Sequence, residues 1–463
     1  MTEQLKLKLN DSKATRWGAL VIVAFTMMAA YYVNDVVAPL KTMLETDLAW
    51  SSTDFGFFTG GYSFLNVFFL MLIWGGLILD RFGIRFTGKL ATILMVGGTA
   101  LEYYAMTGLA GADATLFGIN EIFGYKTGVF VAFAGYSIFG VGAEVAGITV
   151  SKIIAKWFKG KELATAMGVQ VALARIGSQA GYAVAIPLAR AFGISTPVLL
   201  GLVLLLGGMI AFFIFAVMDK KLDKQMEAAA IAAGTEDEEE KFSFKDVKNI
   251  LVNPGFWLIA LLCVLFYSCV FPFQKFASEL MIIKYGINEN VAGTFAGLPA
   301  LGALILTPVF GGFIDKRGKS ASIMLLGSAM LICVHFIYAI PDINYWLVAI
   351  VLMIILGIAF SLVPSAMWPA VAKIFPVSQL GTAYALIFFI QNIGLWGIPT
   401  LIGWVLDAYC ISGKKPDGTN MYDYTVPMCI FTGIACLSLV VALLLKKADR
   451  KYGYKLEEPN IQK

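Results

Sequence analysis

Gly76-Leu-Ile-Leu-Asp80-Arg81-Phe-Gly83-Ile-Arg85 lies between two long apolar runs, and its pattern returns 235 residues later as Gly311-Gly-Phe-Ile-Asp315-Lys316-Arg-Gly318-Lys319. Each copy sets a glycine, an aspartate, a basic residue and a second glycine at one spacing, in a short charged turn. Such glycines suit a tight turn and a close approach of helices. The runs flanking the first copy cover 55–79 and 87–109, and about 20 apolar residues cross a bilayer as a helix. A charged turn between two such runs reads as a link between membrane spans. Its recurrence reads as an internal repeat.

Working outward, further apolar runs lie near 17–40, 128–155, 162–188 and 195–218, then near 255–283, 291–314, 320–340, 344–372, 379–408 and 424–445. The chain is 59% apolar and 14% charged, with a mean hydropathy of +0.78. Soluble domains are about 45–50% apolar and about 25% charged, so lipid must solvate much of this surface. Composition excludes tandem soluble domains. A net charge of +4 without basic clustering excludes a nucleic-acid partner. The expected fold is an all-α membrane protein of twelve transmembrane helices in two six-helix halves. Residues 1–218 form the first half and 254–463 the second with its tail. Between them, 219–253 reads as a solvated cytoplasmic linker carrying the acidic run Glu236 to Glu240.

A second echo, offset by 217, matches Phe139-Gly140-Val141 to Leu356-Gly357-Ile358 and Leu163-Ala-Thr165-Ala166 to Leu380-Gly-Thr382-Ala383. Arg175-Ile176-Gly177 likewise matches Asn392-Ile393-Gly394. Of 35 Lys and Arg, 27 fall in the termini and the connections on their side, 7 fall opposite, and Arg175 is left inside a helix. The positive-inside rule then makes both termini cytoplasmic. Both halves start on one side, so the repeat is parallel, about an axis along the membrane normal. Six cysteines show no CxxC or metal spacing, and the lone His335 lies in an apolar run where a structural role is expected. No metal or cofactor is expected.

Two copies of G-x-x-x-D-[RK]-x-G, the first continued by x-Arg85 and the second by Lys319, each joining the second and third helix of a half, resemble the signature loop of the major facilitator superfamily. Within it, Tyr31-Tyr32, Trp50-Ser51-Ser52-Thr53-Asp54-Phe55-Gly56 and Phe139-Gly140-Val141-Gly142-Ala143-Glu144 are similar to the lysosomal dipeptide uniporter branch. So are Trp157-Phe158-Lys159-Gly160-Lys161-Glu162-Leu163, Ala174-Arg175-Ile176-Gly177-Ser178 and Val270-Phe271-Pro272-Phe273. The resemblance implies facilitated transport of short peptides, with Glu144 and Arg175 facing ligand. The tail shows no acidic dileucine signal, which points to a prokaryotic plasma-membrane relative. The E-x-x-E-R pattern of proton-coupled peptide symporters is absent from Trp17–Leu40.

The residues themselves point to a zwitterion. An ionisable group at the bilayer centre costs roughly 2.5–3.5 kcal/mol on translocon scales. Glu144 and Arg175 sit near the middles of consecutive spans, where they can hold an amine and a carboxylate, or else pair with each other to fix two helices. Ser178, Gln179 and Tyr182 share the Arg175 face at helical spacing, and Tyr136 shares that of Glu144. Across the repeat, Ser361 stands for Glu144 and Asn392 for Arg175. Gln391, Tyr267, Tyr384 and Trp396 are expected to face the charges. Asn34, Asp35 and Glu102 are read as hydrated groups near the outer mouth, Asp35 and Glu102 being candidate coupling carboxylates. Lys275 and Glu279, one turn apart, are expected to pair. Asp80 is expected to face the N-terminus of the eleventh helix, capped by Ser378, and to hold the inner gate shut through the helix dipole. Arg81 and Arg85 read as topology-fixing basic groups.

The leading reading is a facilitative carrier of dipeptides or similar zwitterions. A proton-coupled carrier of organic anions, with Arg175 on the carboxylate and Glu144 on the proton, is the alternative, and a non-transporting receptor a third. A channel would want a ring of identical groups. An enzyme would want a nucleophile, base and orienter, and neither set can be assembled. The partners expected are a small-molecule substrate and the lipid bilayer.

Overall fold

The computed structural model describes residues 8–111, 114–158, 161–233 and 244–459, so the run Glu236 to Glu240 lies outside the described residues. The helices in chain order are α1 (Lys13–Val36), α2 (Lys41–Asp47), α3 (Ser52–Phe68), α4 (Met71–Thr107), α5 (Thr127–Trp157), α6 (Leu163–Phe192) and α7 (Thr196–Ala233). They continue as α8 (Phe244–Val252), α9 (Pro254–Tyr285), α10 (Glu289–Ala296), α11 (Leu298–Arg317), α12 (Ser320–Ala339), α13 (Trp346–Ile374), α14 (Val377–Tyr409) and α15 (Thr425–Tyr452). Two small antiparallel hairpins, β1 (Glu121–Ile122) with β2 (Tyr125–Lys126) and β3 (Ile411–Lys414) with β4 (Asn420–Tyr422), cover the end away from the termini.

Nine described helical stretches are long and apolar enough to cross a membrane, and α3 with α4 form a further pair bent by 58°. Gly83, at φ 73°, divides α4. One span is therefore α3 continued by 71–82, and the next is 84–107. Helix α6 completes twelve; it carries Gln170, Arg175, Ser178 and Gln179 and is the most polar of them. Capping fixes where spans begin: Ser12 accepts from Thr15 N, and Ser51 with Asp54 forms a capping box at α3, satisfying amides that helix ends leave free. In lipid, helices gain little from burying apolar side chains and pack instead through small residues. A Cβ on Gly98 would lie 2.5 Å from Gly135 O, and one on Gly56 2.4 Å from Pro399 O.

Three expectations about the end bearing the termini need correction. The segment after 218 is not all solvated linker, because α7 runs on to Ala233. Asp219 is fully buried there, accepting from Trp157 Nε1 (2.9 Å) and Lys156 (2.8 Å), with Arg85 at 3.4 Å. Arg85 also pairs with Asp223 (2.5 Å), so it ties the loop to α7 as well as marking topology. Helix α14 begins at Val377 with Pro376 at the cap and no side-chain cap bond. Ser378 is inside the first turn, where it is no N-cap. Of the four loop glycines, Gly83 and Gly318 adopt positive φ (73° and 70°), whereas Gly76 and Gly311 face open space and no helix approaches them.

The N-terminus is pinned by a two-pronged Arg16–Glu162 bond (2.8 and 3.2 Å) between the starts of α1 and α6. Glu162 is solvent-facing, and its own backbone N–H followed by Arg16 holds its carboxyl below the usual carboxylate range. At the C-terminus, Ser320 N and Lys319 N donate to Leu456 O (3.0 Å) and Glu457 O (3.1 Å).

Candidate functional site

Two glycines set the geometry of the central cavity. A Cβ on Gly140 would lie 2.0 Å from Tyr62 O, and one on Gly177 2.1 Å from Met28 O. Their absence of side chains seats α5 on α3 and α6 on α1. Glu144, one turn beyond Gly140, thereby meets Tyr62, whose hydroxyl donates to Oε1 at 3.0 Å. Arg175, just before Gly177, lies over the Tyr31 ring (5.5 Å) and the Phe360 ring (4.8 Å). Both line one cavity of about 230 Å³ with Tyr31, Tyr62, Tyr267 and Trp368. Sites for drug-sized ligands run to roughly 300–1,000 Å³, so the occupant is small.

Among the described residues, neither Glu144 nor Arg175 has an opposite charge within 4.0 Å. The two are not an ion pair. A carboxylate and a guanidinium left open on one cavity can satisfy the two ends of a zwitterion. Tyr136, Tyr267 and Gln391 also line the cavity. The other candidates do not. Ser178 is buried and donates to Asp35 Oδ2 (2.6 Å), and Gln179 Nε2 reaches Thr294 O (3.2 Å). Tyr182 is buried in the core, Ser361 bonds back to Gly357 O (2.7 Å), and Asn392 to Phe388 O (2.9 Å). Spacing along α6 placed Ser178, Gln179 and Tyr182 on a common face, but that face is wide enough to pack on α1 and α10 as well as on the cavity. Tyr384 donates to Trp368 O (3.1 Å), and Trp396 meets Phe68 edge-on at 4.8 Å.

Lys275 is the cavity cation that sequence reading passed over. Its ammonium donates to Asn34 O (2.6 Å), with Asp35 Oδ1 at 3.1 Å and Tyr136 Oη at 3.4 Å. It lies about 9 Å past the centre of its span by helix rise, a depth that marks it as costly. Its neighbour Glu279 turns elsewhere, so the expected Lys275–Glu279 pair does not form. Glu279 instead accepts from Lys41 (2.5 Å), a residue distant in sequence. Asp35 is buried and fully engaged, and Glu102 has no exposure, with both carboxylate oxygens lacking a hydrogen-bond partner. Both are buried inside the protein rather than set at an open outer mouth.

The bonds that join the first six spans to the last six run from this cavity to the end away from the termini. Lys41 is 1% exposed and bridges Glu45 (2.5 Å) and Glu279 (2.5 Å), and Lys415 stands 3.7 Å from each. Tyr424 Oη donates to Glu279. Burial, and then the Glu279 carboxylate, push that hydroxyl well above its usual range, so it stays a donor. Asp407 accepts from Ser52 N (3.3 Å) and Thr53 N (2.5 Å). At the opposite end, Asp80 does not face α14. It is exposed and pairs with Lys152 of its own half at 3.1 Å.

The Major Facilitator Superfamily model matches residues 20–399 and 276–458. The lysosomal dipeptide transporter MFSD1 of Homo sapiens is 28% identical over 454 residues, covering 95% of this chain and 88% of that protein. Its Gallus gallus counterpart is 33% identical over 287 residues, 59% of this chain and 62% of that one. Among solved structures, the nucleoside transporter NupG aligns with a TM-score of 0.68 at 12% identity, over 92% of this chain and 98% of that one. The peptide transporter POT in complex with sulfate aligns with a TM-score of 0.65 at 16% identity, over 95% of both.

Proposed function

Because this chain belongs to the Major Facilitator Superfamily, we propose that it is an alternating-access carrier that moves dipeptides and similar small zwitterions by facilitated diffusion. The observation that carries this reading is the pair of opposite, mutually unpaired charges, Glu144 and Arg175, on one small cavity. Glu144 takes the substrate amine and Arg175 its carboxylate in a two-pronged bond. The aromatic wall of Tyr31, Tyr267 and Trp368 tolerates varied side chains, since the ends are read by charge and the middle by adaptable contact. The MFSD1 relatives, which are dipeptide transporters, support the same substrate class. The halves 1–218 and 254–463 rock against each other, and the state described here is closed away from the termini.

Purified protein in liposomes should take up dipeptides down their gradient without acidifying the lumen. Amino-blocked and carboxy-amidated analogues should compete poorly. Equal competition by blocked analogues would remove the zwitterion reading, and acidification coupled to uptake would favour proton symport.

We further propose that both termini lie in the cytoplasm, on the strength of the lysine and arginine asymmetry. Single cysteines at Gly124 and Asp417, in a background without the native cysteines, should label from outside with an impermeant maleimide in intact cells. One at Arg450 should label only after permeabilisation. The reverse pattern would invert the topology.

A further inference from the structure

The second span breaks in mid-membrane, between Phe68 and Met71. Leu70 there is left-handed, at φ 53° and ψ 33°, a region that a non-glycine residue enters at a cost. A broken helix in lipid also frees backbone groups that must be satisfied some other way. One turn earlier Asn66 is 1% exposed, and neither the nitrogen nor the oxygen of its amide has a partner. No proline or glycine occupies 66–70 to account for the break. Strain of this kind concentrates where a structure has two states to choose between.

What the span packs against changes at the break. Before it, α3 lies along α14, with Gly56 under Pro399 and Gly403, Gly60 under Trp396 and Thr400, and Phe68 against Trp396. After it, residues 71–82 turn to the first half's own α5: a Cβ on Gly75 would sit 2.5 Å from Val145 Cγ2, and Asp80 pairs with Lys152. The α3–α14 contact is antiparallel, and its pairs 56 with 403 and 60 with 396–400 follow one register. Continued straight, that register brings Asp80 to about residue 378, the first turn of α14. Asp80 is thus one straightening away from the helix end that its sequence context suggested.

We propose that the Phe69–Leu70 break is the hinge of the gate at the termini-bearing end, and that Leu70 is the residue whose backbone strain sets the balance between open and closed. In the state described, the hinge is bent and 71–82 lies on α5. On closure Leu70 returns to right-handed helix, the span becomes continuous, and Asp80 leaves Lys152 for the first turn of α14. Straightening carries the end of 71–82, about 18 Å of helix by its rise, from α5 towards α14. The hinge serves whichever solute is carried, and its test needs no substrate, so it stands or falls apart from the dipeptide reading.

The experiment measures distances by double electron–electron resonance between nitroxides at Phe82 and Ala372, in protein without native cysteines and in lipid nanodiscs. Leu70→Gly removes the left-handed penalty and should raise the ratio of long to short distances about five-fold. Leu70→Asn, which also tolerates that region, should move it the same way by less. Leu70→Ile, whose branched side chain is worse there, should move it the other way. Melting temperatures should confirm that all three variants fold. Glycine and isoleucine shifting the ratio in one direction, or neither shifting it by two-fold, would overturn the hinge. If one variant fails to fold, the contrast between the remaining pair and the parent decides the matter by the same criterion.

Discussion

Arg175→Ala should weaken dipeptide-induced stabilisation by about 100-fold in ligand concentration and abolish uptake, while the empty protein melts close to the parent. The guanidinium contacts Tyr31 and Phe360 only through their ring faces, an interaction worth about 0.5–2 kcal/mol. Its loss costs the empty protein little. The charge-assisted bonds it would give a carboxylate are worth about 1.5–3 kcal/mol each, and two of them exceed that. Arg175→Lys should rescue poorly, because an ammonium lacks the planar fork. Glu144→Gln should weaken substrates with a free amine far more than N-acylated ones, and Tyr62 can still donate to the new amide oxygen. Were the two charges a structural pair, removing either alone would cost roughly 3–5 kcal/mol, and the double variant would recover it. Apo melting and ligand-shift curves for both singles and the double separate the cases. Apo loss in the singles, repaired in the double with dipeptide shifts intact, would sink the binding site.

Lys41→Met should open the end away from the termini. Lys41 lies between Glu45 and Glu279 at 2.5 Å from each and is almost wholly buried. Without it, two carboxylates share only Lys415 at 3.7 Å. Stripping one partner from a buried ion pair costs about 3–5 kcal/mol, which is more than 100-fold in a two-state ratio. That cost falls on the closed end alone, because opening parts α2 from α9 and hydrates both acids. Nitroxides at Asp47 and Asp417 should therefore report longer distances in Lys41→Met. Removing the second charge, in Lys41→Met with Glu279→Gln, should return most of the parent distribution. An unchanged distribution with a lower melting temperature would mean that the network stabilises the fold in both states and gates nothing.

The twelve spans were legible because hydropathy is a local property: a run such as 344–372 crosses a membrane whatever surrounds it. The ends matched for the same reason, with α5 and α9 within two residues of the expected limits. Glu144 and Arg175 were legible because depth along a helix can be counted from its ends, and a charge at mid-depth costs energy in any arrangement. Gly83 and Gly318 were legible as turn residues because positive φ is a property of one residue.

Partnership was decided only by the tertiary structure. Lys275 and Glu279 share a helix and are one turn apart, yet rotation and packing send one to Asp35 and the other to Lys41. Tyr62 reaches Glu144 only because Gly140 lets α3 lie against α5. Ser178 looked like a cavity residue from spacing and became the support of Asp35, since spacing ranks the residues on a face but does not say which neighbour covers each one. Asp80 shows a further limit: its partner depends on which end of the carrier is open, and one sequence encodes both states. Contacts between distant segments, and the choice among conformations, are set by the packing of whole helices, a sum over many small terms that no local stretch of sequence contains.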